Sequence, residues 1–167
     1  YPDGVEYQEL LDCCAEKNFS YGSWLLGAFG KTDEVRKIDG DLIVEKDIIF
    51  AGRLEVKGCI KAGCCIEAGD GIEAGCGIEA GYGIEAGDGI EAGWGIEAGY
   101  GIKAGGGIKA GGGIEAGWGI EAGCEYGIYA GLRCCITNKT QRKVIAKKRP
   151  ENIMCGEFEE KKDDAVR

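Results

Sequence analysis

Ile or Leu returns every sixth residue from Leu42 to Ile120, and this spacing leaves the chain few ways to fold. It spans fourteen hexads. Two residues after each Ile or Leu comes a second apolar residue: Val44, Phe50 and Val56 first, then Ala from Ala62 to Ala122. The residue between them is usually Glu. Apolar–polar–apolar describes a short strand with alternate side chains turned inward. The Gly-x-Gly that follows predicts a corner, where glycine accepts positive φ and close packing. Strand and corner at a short fixed period make a β-solenoid. The 32 glycines follow this period and no collagen triplet, and only two prolines occur, which excludes collagen.

The variable corner residue sets the number of hexads per coil. Every third one gives Cys64, Tyr82, Tyr100, Trp118 as one series, Asp70, Asp88, Gly106, Cys124 as a second, and Cys76, Trp94, Gly112 as a third. The first gathers three of the four aromatics at a spacing of eighteen residues. Three faces and eighteen residues per coil follow, with rings stacked one rung apart. The expected fold is all-β: a three-sided parallel β-helix of nearly five coils. At the usual strand spacing it is a rod about 20–25 Å long.

The chain divides into residues 1–40, 41–132 and 133–167. Asp3 with Glu6 fits a helix start, and Tyr7, Leu10, Leu11 and Cys14 continue a helix over residues 4–17. Ser23 to Phe29 reads as a second, weaker helix, because Gly27 costs stability. The outward positions of the first rungs are Ile43 and Ile49 instead of Glu. An apolar outer surface needs a cover, and the helices, with Trp24 and Phe29, are expected to cap it. The rhythm breaks at Cys124-Glu125-Tyr126. Residues 128–136 and 142–147 then suggest a hairpin-like cap around Asn138-Lys139, with a further strand over 152–158.

Two families resemble this pattern. The hexapeptide acyltransferases share an eighteen-residue coil in left-handed form. They carry a small residue where this chain has Asp70, Tyr82, Asp88 or Trp94, and a catalytic histidine where this chain has none. The aliphatic-x-small rungs over 42–122 look more like bactofilins, right-handed β-helical polymers of the bacterial cytoskeleton. The Ile-Glu/Lys-Ala-Gly runs also resemble uncharacterised repeat proteins of bacteria and phages. These resemblances favour the right-handed form, with the left-handed form as the alternative.

Charge narrows the function. Residues 60–132 carry three cations against eleven acids, and residues 133–167 carry ten cations against six. An acidic body repels phosphate, so the repeats are not expected to bind nucleic acid directly. In the eighteen-residue columns Glu67 meets Glu85, Glu73 meets Glu91, and Glu79 meets Glu97 and Glu115, while Glu121 follows Lys103. Like charges one rung apart repel by about 1 kcal/mol in water before screening. Duplication of a hexad explains such columns as solvated surface. The functional alternative is mimicry of nucleic acid, with Glu67, Glu73, Glu79, Glu85, Glu91, Glu97, Glu115, Glu121, Asp70 and Asp88 facing a basic protein partner. Gyrase-protecting pentapeptide-repeat proteins and anti-restriction or anti-CRISPR proteins are similar in strategy. Tyr82, Trp94, Tyr100 and Trp118 are candidate contact residues at the corners. The basic tail could instead dock on a second copy, giving a homodimer in place of a monomer.

No histidine is present, no phosphate loop occurs, and the carboxylates lie in rows without a cleft to separate their pKa values. The expectation is a non-enzymatic protein with no cofactor. The ten cysteines lack CxxC spacing and read as reduced thiols of a cytoplasmic chain, with Cys64, Cys65, Cys134 and Cys135 as alternative soft-metal ligands. No membrane-spanning stretch or leader-like segment is visible.

Overall fold

In a computed structural model, residues 6–17, 19–123, 126–132 and 142–162 are described. They form a three-sided parallel β-solenoid of about six coils, preceded by two short helices. Face A stacks β1 (Val35–Ile38), β4 (Arg53–Val56), β7 (Ile72–Ala74), β10 (Ile90–Ala92), β13 (Ile108–Ala110), β16 (Ile128–Tyr129) and β18 (Ile153–Cys155). Face B stacks β2 (Leu42–Val44), β5 (Ile60–Ala62), β8 (Ile78–Ala80), β11 (Ile96–Ala98), β14 (Ile114–Ala116), β17 (Lys143–Ala146) and β19 (Glu157–Glu160). Face C is shorter: β3 (Ile48–Phe50), β6 (Ile66–Ala68), β9 (Ile84–Ala86), β12 (Gly101–Ala104) and β15 (Gly119–Glu121).

The register is the eighteen-residue one. Ile72 sits beside Ile90, and Ile90 beside Ile108, while Ala74, Ala92 and Ala110 align one position inward of the corner. Every inward Ile from Ile60 to Ile120 is buried, and so are the paired alanines from Ala62 to Ala116. Each fully buried Ile contributes about 1.5–3 kcal/mol of transfer free energy. Among the described residues no polar or charged residue is classed with the buried core, so the interior is an aliphatic stack.

The corners work by proximity instead of positive φ. Among the described residues positive φ occurs at Gly30, Gly131 and Gly156, none of them a corner of the hexad repeat. A Cβ on Gly81 would stand 2.0 Å from the carbonyl oxygen of Gly63, whereas one on Gly83 would stand 3.6 Å from that of Gly101. The first glycine of Gly-x-Gly is therefore required and the second is not. Asp41, Asp47, Cys59 and Cys65 occupy the second position in the early coils. There Asp41 accepts the Cys59 N–H at 2.7 Å and Asp47 the Cys65 N–H at 2.8 Å.

Helices α1 (Tyr7–Lys17) and α2 (Phe19–Phe29) pack against β3. Leu11, Cys14, Ala15, Leu25 and Leu26 enclose Ile49 and Ala51 in a second apolar cluster. Gly22 lets α2 approach closely: a Cβ there would meet Ile49 Cδ1 at 2.5 Å and Cys14 Cβ at 2.8 Å. The Gln8 amide completes the free edge of β3. Its Nε2 donates to the Ile49 carbonyl at 2.8 Å and its Oε1 accepts from the Ala51 N–H at 3.0 Å. The expected cover is thus present for Ile49 but not for Ile43. Trp24 and Phe29, the residues expected to supply it, point outward at 58% and 73% exposure.

After the rhythm breaks, the solenoid continues. β16 and β18 extend face A, and β17 and β19 extend face B, all in parallel pairing. This differs from the expected hairpin, because β16 and β17 belong to different faces; Asn138 and Lys139 lie outside the described residues. Inward Ile128, Val144 and Phe158 still stack on the aliphatic column, so coil packing persists without the hexad.

Candidate functional site

Each face presents one outward column. On face A it runs Lys37, Glu55, Glu73, Glu91, Lys109, Tyr129. On face B it runs Ile43, Lys61, Glu79, Glu97, Glu115, Ile145, Glu159. On face C it runs Ile49, Glu67, Glu85, Lys103, Glu121. The acidic residues read from the sequence are therefore split over three sides of the rod.

Cations interrupt these columns. Lys61 pairs with Glu79 at 2.8 Å, Lys103 with Glu85 at 2.9 Å and Lys109 with Glu91 at 3.8 Å. Arg53 bridges two rungs of face A, reaching Glu55 at 3.2 Å and Glu73 at 3.0 Å. These hydrogen bonds raise the Arg53 pKa, led by the one to Glu73. Glu55 is lowered, first by its hydrogen bond from Lys37. Lys31 approaches Asp70 at 3.6 Å, and Lys161 reaches Glu115 at 2.9 Å. Among the described residues, Glu67, Asp88, Glu97 and Glu121 have no ion pair. Arg53, Lys31 and Lys161 are partners that the hexad pattern does not point to, because they stand outside its outward positions.

Four described cations of the basic tail are engaged within the molecule. Arg142 pairs with Glu157, Lys143 with Glu159, and Lys147 lies over the Trp118 ring. Arg149 lies over Phe158 at 5.6 Å.

The aromatic ladder forms at the corner between faces B and C. Tyr82 and Tyr100 stack with centroids 5.0 Å apart and planes 2° apart. Tyr100 and Trp118 follow at 6.2 Å and 7°. Backbone bonds join the same rungs, from the Tyr100 N–H to Tyr82 O at 2.7 Å and from the Trp118 N–H to Tyr100 O at 2.6 Å. All three rings stay about half exposed. Trp94 belongs elsewhere: its N–H donates to Cys76 O, at the corner between faces A and B.

Face C alone combines this ladder with a charged column and a helix. A groove of about 290 Å³ runs between them, with Tyr82 and Tyr100 on one side and Glu67, Glu85, Lys103 and Glu121 on the other. Its floor is the glycine column at Gly83, Gly101 and Gly119, and Phe19 and Ser23 of α2 close one end. There Ser23 donates to Glu67 at 3.2 Å. Burial raises the Glu67 pKa most, the Ser23 bond opposes it, and the like charge of Glu85 adds to the rise. Burial, followed by the Glu67 charge, also raises the Tyr7 hydroxyl. Gln8, Ser23 and Phe19 carry no sequence signal of this role, since helix packing alone brings them to face C.

Cys64 and Cys65 have free thiols, with burial raising the Cys65 pKa first; Cys134 and Cys135 lie outside the described residues. No described helix is long and apolar enough to cross a membrane. Comparison with protein families, with curated proteins and with solved structures returns no match. The chain is a β-helical repeat protein by its own geometry.

Proposed function

We propose that the chain is a non-enzymatic binding protein whose acidic solenoid engages a protein partner through that partner's basic, nucleic-acid-binding surface. The observation that carries this reading is the charge register. Three outward columns on a coil rise of about 4.8 Å give one position per ~1.6 Å of axis, against one charge per ~1.7 Å in duplex DNA. Residues 62–102 hold eight acids and no cation in sequence. Lys and Arg at neighbouring rungs lower this field, which leaves the attraction salt-sensitive and local to Glu67, Asp88, Glu97 and Glu121.

The test is a pull-down from lysate at low and high salt, beside a variant with Glu67, Glu97 and Glu121 changed to Lys. A nucleic-acid-handling protein that is captured at low salt, and lost with both high salt and the variant, supports the reading. Equal capture by the variant overturns it.

A second reading, a bactofilin-like scaffold, draws on one observation. At the N-terminal end, β1 and β2 are edge strands beside a mouth of about 320 Å³ lined by Ile38, Leu42, Val44 and Phe50. Unpaired edges are templates for another chain. Concentration-dependent filaments in electron microscopy would favour this reading over the first.

A further inference from the structure

The face C groove is not symmetric along its length. At its open end, Lys103 and Lys147 are already engaged, by Glu85 and by the Trp118 ring. At its closed end Glu67 accepts from the neutral hydroxyl of Ser23 and has no ion pair among the described residues; its next neighbour up the column is another carboxylate, and Lys103, whose charge also reaches it, is paired with Glu85. The ladder is uneven in the same sense. Tyr100 is sandwiched, and the outer face of Trp118 is covered by Lys147. The face of Tyr82 turned away from Tyr100 looks towards the rung below, where the column holds small, exposed Cys64. Cys64 and Glu67 belong to the same rung. An aromatic face with no second ring or cation stacked on it and a half-buried carboxylate with no ion pair, both among the described residues, therefore share one level of the rod, with a mostly apolar floor between them.

We propose that this closed end seats an arginine side chain from a basic segment of the partner protein. The chemistry is complementary part by part. A guanidinium is planar and weakly hydrated, stacks on an aromatic face, and offers an N–H fork to a carboxylate. Its aliphatic stem suits the floor at Cys65 and Gly83. A lysine satisfies the charge but lacks the plane and the fork. The inference rests on the binding reading above and gives it a place: one pocket on one face, instead of charge spread over three.

The experiment is calorimetric titration of the whole chain with a nine-residue oligoarginine peptide at low salt, with oligolysine of the same length beside it. Glu67→Gln removes the pocket charge without changing shape, and Glu97→Gln removes the same charge from face B. Glu67→Gln is expected to weaken oligoarginine binding by about tenfold or more, as loss of a charge-assisted hydrogen bond does. Glu97→Gln is expected to change it by no more than about twofold, the effect of one distant screened charge. Tyr82→Leu should weaken oligoarginine more than oligolysine, and it decides the matter independently if Glu67→Gln alters the fold by circular dichroism. Equal losses for Glu67→Gln and Glu97→Gln would overturn the pocket while leaving the acidic-rod reading intact. Equal affinity for the two peptides would overturn the choice of arginine. No binding of either peptide at low salt would sink the acidic-rod reading itself.

Discussion

Faces B and C are built from one hexad, yet Ile43 of β2 is 68% exposed and Ile49 of β3 is 2% exposed. Both are outward residues of consecutive strands in the first rungs. Face C has a helical cover there, a Gln8 clamp on its edge and a roofed carboxylate, and face B has none of these among the described residues. A repeat supplies identical positions, and what packs on them from outside the repeat makes them different. The groove walled by the Tyr82–Tyr100 ladder and closed at one end by α2 lies on the face that the helices reach.

The largest test of this contrast is a pair of truncations. Ile49→Ala should destabilise by about 2–5 kcal/mol, the range for emptying a packed apolar site. Ile43→Ala should stay within about 0.5 kcal/mol, as for an ordinary surface change. Denaturant melts of the two variants measure the difference, and equal losses would mean that Ile43 is also covered. The corners offer a second pair. Gly81→Ala should cost about 1–3 kcal/mol through overpacking against the Gly63 carbonyl. Gly83→Ala, with ordinary contact distance, should be neutral or slightly stabilising by restricting the unfolded chain.

Gln8→Ala should cost about 1–2 kcal/mol, because the Ile49 carbonyl and Ala51 N–H lose their partner at an edge that α1 shields. Light scattering distinguishes a plain stability loss from new edge pairing, since an exposed β3 would associate.

The pH dependence of Glu67 sharpens the comparison between carboxylates on the two faces. Its pKa is raised in the folded state, so the native chain holds this proton when the unfolded chain has lost it. Its contribution is present at low pH and falls as pH rises from the unfolded carboxylate value through the raised one. Glu67→Gln should therefore gain stability relative to the parent as pH climbs through that window. Thermal melts from pH 3 to pH 7, with Glu97→Gln as the control from face B, read this out. A parallel pH curve for the parent and Glu67→Gln would contradict the buried assignment. The smallest effect is expected from Lys103→Gln, which breaks one exposed pair with Glu85 and should cost about 0.2–1 kcal/mol.

Much of this was readable from the chain alone. The eighteen-residue series of corner residues gave the three faces, the pairings Glu67–Glu85, Glu73–Glu91 and Glu79–Glu97–Glu115, and the stack of Tyr82, Tyr100 and Trp118. Trp94 fell outside the stack for the same reason. The C-terminal strands were harder, because Ile128, Val144 and Phe158 keep the coil without keeping the six-residue spacing. Period finding has no purchase where corner lengths vary.

The sequence by itself determined everything that depends on local repetition. Strand alternation decides which residues face inward, and a constant corner length decides which rungs stack, so the columns of Ile, Ala, Glu and aromatic rings follow from counting. Only the tertiary structure decided how the columns differ from one another. Whether Ile49 is buried, whether Glu67 is roofed, and whether cations from outside the repeat, Lys31 and Lys161, reach its carboxylates depend on the segments that flank the repeat. Their contacts with the rod join residues with no fixed spacing between them, as Gln8 with Ile49 and Lys161 with Glu115 do. Packing free energy sets such contacts across the whole chain, and no period within it encodes them.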